Sequence, residues 1–74
     1  METPLVIRDT EILNGLPVFY GTRVPVQNLI DYLTAGDSID AFLDDFPTVS
    51  REQVTRFLEE AGDYMIAHAD EYPH

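Results

Sequence analysis

Seventy-four residues without a cysteine make one domain, residues 1–74, and exclude a disulfide framework or a thiolate zinc site as the source of its rigidity. A chain this short buries only about 60% of its unfolded surface, and a single core of this size seldom supplies more than about 3 to 5 kcal/mol, so association is the expected route to further stability. The net charge of −10 favours a basic partner over nucleic acid, and apolar residues that come only in short periodic groups predict neither a membrane span nor a signal peptide but a cytoplasmic protein.

In chain order, Leu5, Val6 and Ile7 followed by Arg8 and Asp9 read as a short strand behind an unstructured Met1 to Pro4. Asn14-Gly15 is a turn signal. The next residues, through Val26, carry a hairpin: Phe19 and Tyr20 lead into Gly21-Thr22, where Gly at the first of two central positions supplies the positive φ of a type II′ turn. That loop places Tyr20 opposite Arg23 and Phe19 opposite Val24, an aromatic and β-branched cross-strand pair. Pro25 lacks an N–H and has a helix-compatible φ, so it is expected to stop the ladder and open a helix. Two turns with apolar residues between them predict a small antiparallel meander, Val6 to Arg8 beside Pro17 to Tyr20 and Arg23 to Val24, with open edges that invite pairing with a second copy.

Everything after the ribbon reads as helical. Val26, Leu29, Ile30 and Leu33 form one apolar stripe, ended by Gly36 as the residue after the C-cap. Ile39, Phe42, Leu43 and Phe46 repeat the spacing, with Ser38 as N-cap, Asp40 in the first turn and Pro47 closing the segment. The third helix starts at Ser50, which with Gln53 spells a capping box, and runs through Val54, Phe57, Leu58, Ala61 and Met65. Gly62 is its weak point, so Asp63 to Tyr72 reads as a continuation, a bent extension or a separate short helix. Three such stripes on short loops must pack on one another. The expected fold is α+β, mainly α: an N-terminal β ribbon followed by a three-helix, helix-turn-helix-like domain of the winged-helix or homeodomain-like kind.

From Leu13 to Val26, the residues Gly15, Pro17 and Val18, then Gly21-Thr22-Arg23-Val24-Pro25-Val26, resemble the "GGxPxIxGTRIxV" signature of the domain of unknown function 433 family. Gly36-x-Ser38-Ile39 is similar to that family's "GxSxEEI", Phe46-Pro47 to its "YP", and Val49-Ser50 through Val54 to its "LTxEDV", so the resemblance covers Val6 to Ala61. Asn14 stands where Gly is usual, Leu16 where Lys is common and Tyr20 where a basic or polar residue often sits, which removes positive charge near the ribbon. The resemblance implies a helix-turn-helix-like domain encoded beside a PIN-like ribonuclease, acting as the VapB-type antitoxin of a type II toxin-antitoxin pair. Autoregulation of its operon can accompany that role. The alternative is a DNA-binding transcriptional regulator without a toxin partner.

Catalytic chemistry is not expected. Asp37, Asp40, Asp44 and Asp45 are dense in acid, but one helical face does not converge oxygens on a cation, and a solvated surface is the plainer reading. His68 and His74 stand near the chain end, and no nucleophile, base and orienter set is present. No cofactor is expected. For operator DNA the candidates are Arg23, Arg51, Gln53, Thr55 and Arg56, the first turns of a recognition helix and the ribbon tip. Against that role, Arg56 can pair with Glu52 or Glu60 at four-residue spacing, and Arg23 can stack on Tyr20 or pair with Asp31. Charge is lopsided: residues 1–36 carry −2 and residues 37–74 carry −8. The candidates for toxin binding are therefore C-terminal: Glu59, Glu60 and Asp63 for charge, Tyr64, Met65, Ile66 and Tyr72 for apolar anchors. The expected self-association is a homodimer through the ribbon; an alternative for the C-terminal segment is that it extends along that dimer.

Overall fold

The computed structural model describes residues 3–70. Met1 and Glu2 of the expected unstructured start, and Glu71, Tyr72 and His74, lie outside the described residues. Val18 and Phe19 are β-prone, fully buried, and sit at the centre of the ribbon as strand β2 (Val18–Phe19). On one side β2 pairs antiparallel with β1 (Val6–Ile7), Val6 opposite Phe19 and Ile7 opposite Val18. On the other side the chain returns through Val24 and Pro25, with a single bridge between Val18 and Pro25. The meander is therefore present, with its third strand reduced to that bridge.

Two details of the hairpin correct the sequence reading. The Thr22 N–H donates to the Phe19 carbonyl at 3.0 Å, so the turn is Phe19–Thr22 with Gly21 third, at φ 77°, the arrangement of a type II turn. Thr22 causes the shift. Its buried hydroxyl donates to the Phe19 carbonyl at 2.8 Å and accepts from the Val24 N–H at 3.0 Å, holding a four-residue loop that a bare Gly-Thr pair would not need. Tyr20 and Arg23 consequently lie in the loop, while Phe19 keeps its place opposite Val24, donating to its carbonyl at 3.0 Å. Nor does Pro25 stop the ladder. The bridge is flanked by Phe19 N–H to the Val24 carbonyl and Val26 N–H to the Pro17 carbonyl, so the position opposite Val18 requires no N–H from Pro25.

Between the strands, the Asn14-Gly15 signal becomes a left-handed turn over Leu13–Gly15, with φ of 49°, 57° and 84°. Asn and Gly accept that region readily, whereas Leu13 holds it under strain.

The helices follow their local signals. Helix α1 (Val26–Thr34) ends in a Schellman motif: Asp37 N–H donates to the Tyr32 carbonyl at 2.9 Å and Gly36 N–H to the Leu33 carbonyl at 3.1 Å. Gly36 takes φ 89° there, which a Cβ would resist. Helix α2 (Ile39–Asp45) is capped by the Ser38 hydroxyl, which accepts from the Ala41 N–H at 3.0 Å. Helix α3 (Arg51–Ala67) opens on the complete capping box of Ser50 and Gln53. It passes Gly62 without a break, so the continuous extension is the form realised.

The stripes converge on Phe19, Val24, Leu29, Phe42, Val49 and Val54, with Tyr32, Leu33, Ile39, Leu43, Phe46 and Phe57 packed around them. All four phenylalanines belong to this cluster. Phe19 meets the Phe57 ring edge-on at 5.8 Å, and Tyr32 meets Phe42 at 5.4 Å and Phe46 at 5.7 Å in the same manner. Such pairs add about 0.5 to 1.5 kcal/mol beyond the area they bury. The architecture is thus α+β, mainly α: a short antiparallel ribbon on a three-helix core. Among the described residues, no helix is long and apolar enough to cross a membrane.

Candidate functional site

Helix α3 changes environment half-way along. Val54, Phe57, Ala61, Tyr64 and His68 follow one another at alternating spacings of three and four residues, which places them on one stripe. Val54 is fully buried and Phe57 packs on the core, but every residue from Leu58 to Asp70 is exposed. The stripe leaves the body of the domain uncovered. Tyr64, Met65 and Ile66 are 60%, 68% and 77% exposed, well beyond what a core helix leaves in water. Glu59 and Asp63 stand on the other side of the helix, Asp70 follows beyond its end, and Glu60 on the flank is held by Arg56 at 3.3 Å. His68 stacks on Tyr64 with ring centroids 4.0 Å apart, and its Nδ1 lies 2.8 Å from the Tyr64 carbonyl, closing the helix end.

The overall dimensions record the same projection. The radius of gyration is 14.1 Å, against about 11 Å for a compact chain of this length. The structure therefore brings the proposed toxin-binding residues Glu59, Glu60, Asp63, Tyr64, Met65 and Ile66 onto one projecting helix. Tyr72 lies outside the described residues.

The candidate DNA-binding residues do not form one free surface. Arg51 pairs with Asp40 of α2, and Arg56 pairs with Glu60 as the four-residue spacing allows. Gln53 is committed twice: its Oε1 accepts from the Ser50 N–H at 2.9 Å and its Nε2 donates to the Tyr20 carbonyl at 3.0 Å. Thr55 is exposed. Arg23 is exposed on the ribbon loop and, like Arg8, makes no ion pair among the described residues. It rims an open cleft of about 620 Å³ whose walls include Ile7, Ile12, Tyr20 and Thr48.

The acid-rich segment is tied into the fold rather than converging on a cation. Asp40 serves Arg51, and Asp45 accepts from the Tyr32 hydroxyl across α1 and α2. That bond raises the Tyr32 pKa above its ordinary 10.0, with smaller contributions from desolvation and from the charges of Asp45 and Asp37. No group of three or more His, Cys, Asp or Glu residues among the described ones is placed to hold a metal ion. Sequence reasoning missed the Asp40–Arg51 and Tyr32–Asp45 links, because partners eleven and thirteen residues apart leave no periodic signal.

Residues 6–61 match the family described as "Protein of unknown function (DUF433)". The chain belongs to this family. The DUF433 match spans the ribbon and the packed part of the helices and ends at Ala61, four residues into the uncovered half of α3 that begins at Leu58. A relative, "Uncharacterized protein y4eO" of Sinorhizobium fredii (strain NBRC 101917 / NGR234), is 36% identical over 50 residues. Those residues are 68% of this chain and 23% of the relative, so the chain spans about a quarter of that protein's length. No solved structure matches.

Proposed function

We propose that this DUF433 chain is a cytoplasmic antitoxin that binds and neutralises a PIN-like ribonuclease. The observation that carries the reading is the projecting half of α3, where three large apolar side chains stand exposed beside Glu59 and Asp63, with Asp70 just past the helix end. A ribonuclease must hold RNA on a basic path, and a helix carrying both carboxylates and exposed apolar anchors can occupy that path. Tyr64, Met65 and Ile66 then supply the desolvated contacts that dominate interface energetics. The net charge of −10 speeds the encounter.

The test is a chain truncated after Gly62, co-expressed with the ribonuclease of the adjacent reading frame. All residues of the buried cluster precede the cut, so the fold survives while co-purification and rescue of growth are lost. Full-affinity binding by the truncated chain would place the interface elsewhere and refute the assignment.

Operon repression through DNA is the second reading, favoured by Arg23, a cation at the ribbon tip with no carboxylate partner among the described residues. With Arg51 and Arg56 paired to carboxylates, few phosphate contacts remain, and each contributes about 0.9 to the log-log salt slope, so DNA binding by the chain alone is shallow in salt.

A further inference from the structure

Antiparallel pairing decides which way each peptide group of β1 faces. Tyr20 N–H donates to the Leu5 carbonyl at 2.9 Å, and Phe19 N–H donates in the opposite direction, to the Val24 carbonyl. Val6, in register with Phe19, is therefore at a non-hydrogen-bonded position of the β1–β2 ladder. Its own N–H and C=O point away from β2, to the outer edge of the ribbon. β2 has no such edge, being bonded on both sides.

Beside the Val6 edge lies an open groove of about 400 Å³ between β1 and α3, lined by Leu5, Val6, Phe57, Glu60 and Ala61. An unpaired strand edge and an apolar groove thus share one side of the molecule. The single acid in the lining, Glu60, already has Arg56 at 3.3 Å, so the place is close to neutral on a chain of net charge −10.

We propose that a second copy of this chain occupies it. Two β1 strands pair antiparallel about a two-fold axis at Val6, each Val6 exchanging both backbone hydrogen bonds with its counterpart. The Leu5 side chains close the two grooves. An antiparallel pair centred on one residue is its own symmetry mate, so the contact is isologous and closes at two copies. In that register Pro4 falls at the next hydrogen-bonded position, where its missing N–H ends the ladder. The acidic side of α3 faces away from this seam, and the dimer presents two projecting helices. The inference does not rest on the ribonuclease reading.

The test is sedimentation equilibrium of the full chain over a hundredfold concentration range at low and high salt, with backbone amide exchange of Val6 and Ile7. The expected result is a two-chain mass at the upper end, tightened by salt because the two copies carry like charge. Val6 protection rises with concentration, while Ile7, bonded inside the ribbon, is protected throughout. Ala61→Glu, at an exposed helical position, weakens the dimer by about tenfold or more with helicity unchanged, and Val6→Pro removes an N–H that only the outer edge uses. A single-chain mass at every concentration overturns the proposal. So does a dimer whose Val6 exchange is concentration-independent and which Ala61→Glu leaves intact, since its seam would then lie elsewhere.

Discussion

Replacing Gly62 by Ala isolates the physics of the projecting helix. Gly62 has ordinary helical geometry, and a Cβ built on it meets nothing within 4 Å. The substitution therefore adds no clash and removes no contact. What remains is the backbone entropy of glycine, about 0.5 to 1 kcal/mol in a helix interior. Because residues 58–70 are exposed, this half of α3 opens without disturbing the aromatic core, and the gain falls mainly on that local opening. Amide exchange at residues 62–67 should slow by roughly two- to fivefold, which is 0.5 to 1 kcal/mol expressed as a ratio. The denaturation midpoint of the core should move much less. Hydrogen exchange read by nuclear magnetic resonance separates the two quantities. Unchanged or faster exchange at residues 62–67 would refute the reasoning, because it would show that Gly62 is held by a constraint other than its own helix.

Two further substitutions probe the links between elements. The raised Tyr32 pKa means that the folded state holds the phenolic proton more tightly than the unfolded state, so this stabilisation is complete below pH about 10 and is lost as pH rises through the folded value. The difference in urea midpoint between the protein and Tyr32→Phe should be flat up to that pH and shrink above it. Gln53→Ala removes both the capping-box bond to Ser50 and the bond to the Tyr20 carbonyl; at about 0.5 to 1.5 kcal/mol for each solvent-accessible bond, chemical denaturation should show a loss of about 1 to 3 kcal/mol, whereas Gln53→Glu should retain the Ser50 bond and recover part of it.

The division between what the residues foretell and what the folded chain adds follows from range. Ser38, the Ser50 and Gln53 box, Gly36 and the three apolar stripes each act within a single contiguous segment, so they are written in the sequence and appear in the structure where their spacing puts them. The pairing of Phe19 with Val24 is local in the same sense, since one turn carries both. Turn type is not: it was settled by the Thr22 hydroxyl, whose burial on the Phe19 carbonyl depends on the whole ribbon packing against the helices. Pro25 kept its bridge because the register made its absent N–H irrelevant, and register is a property of two segments together.

The same distinction governs the candidate site. Composition shows that the C-terminal half is acidic and carries apolar residues, and the family signature names the fold. Neither tells which arginines are free. Arg51 and Asp40 are eleven residues apart, Gln53 and Tyr20 thirty-three, and only packing of α2, α3 and the ribbon brings each pair together. The apolar stripe of α3 reads as continuous in sequence from Val54 to His68, yet the core is only wide enough to cover its first two members. Periodicity marks the face that a helix will bury; the size of the body it rests on decides how much of that face is left for a partner.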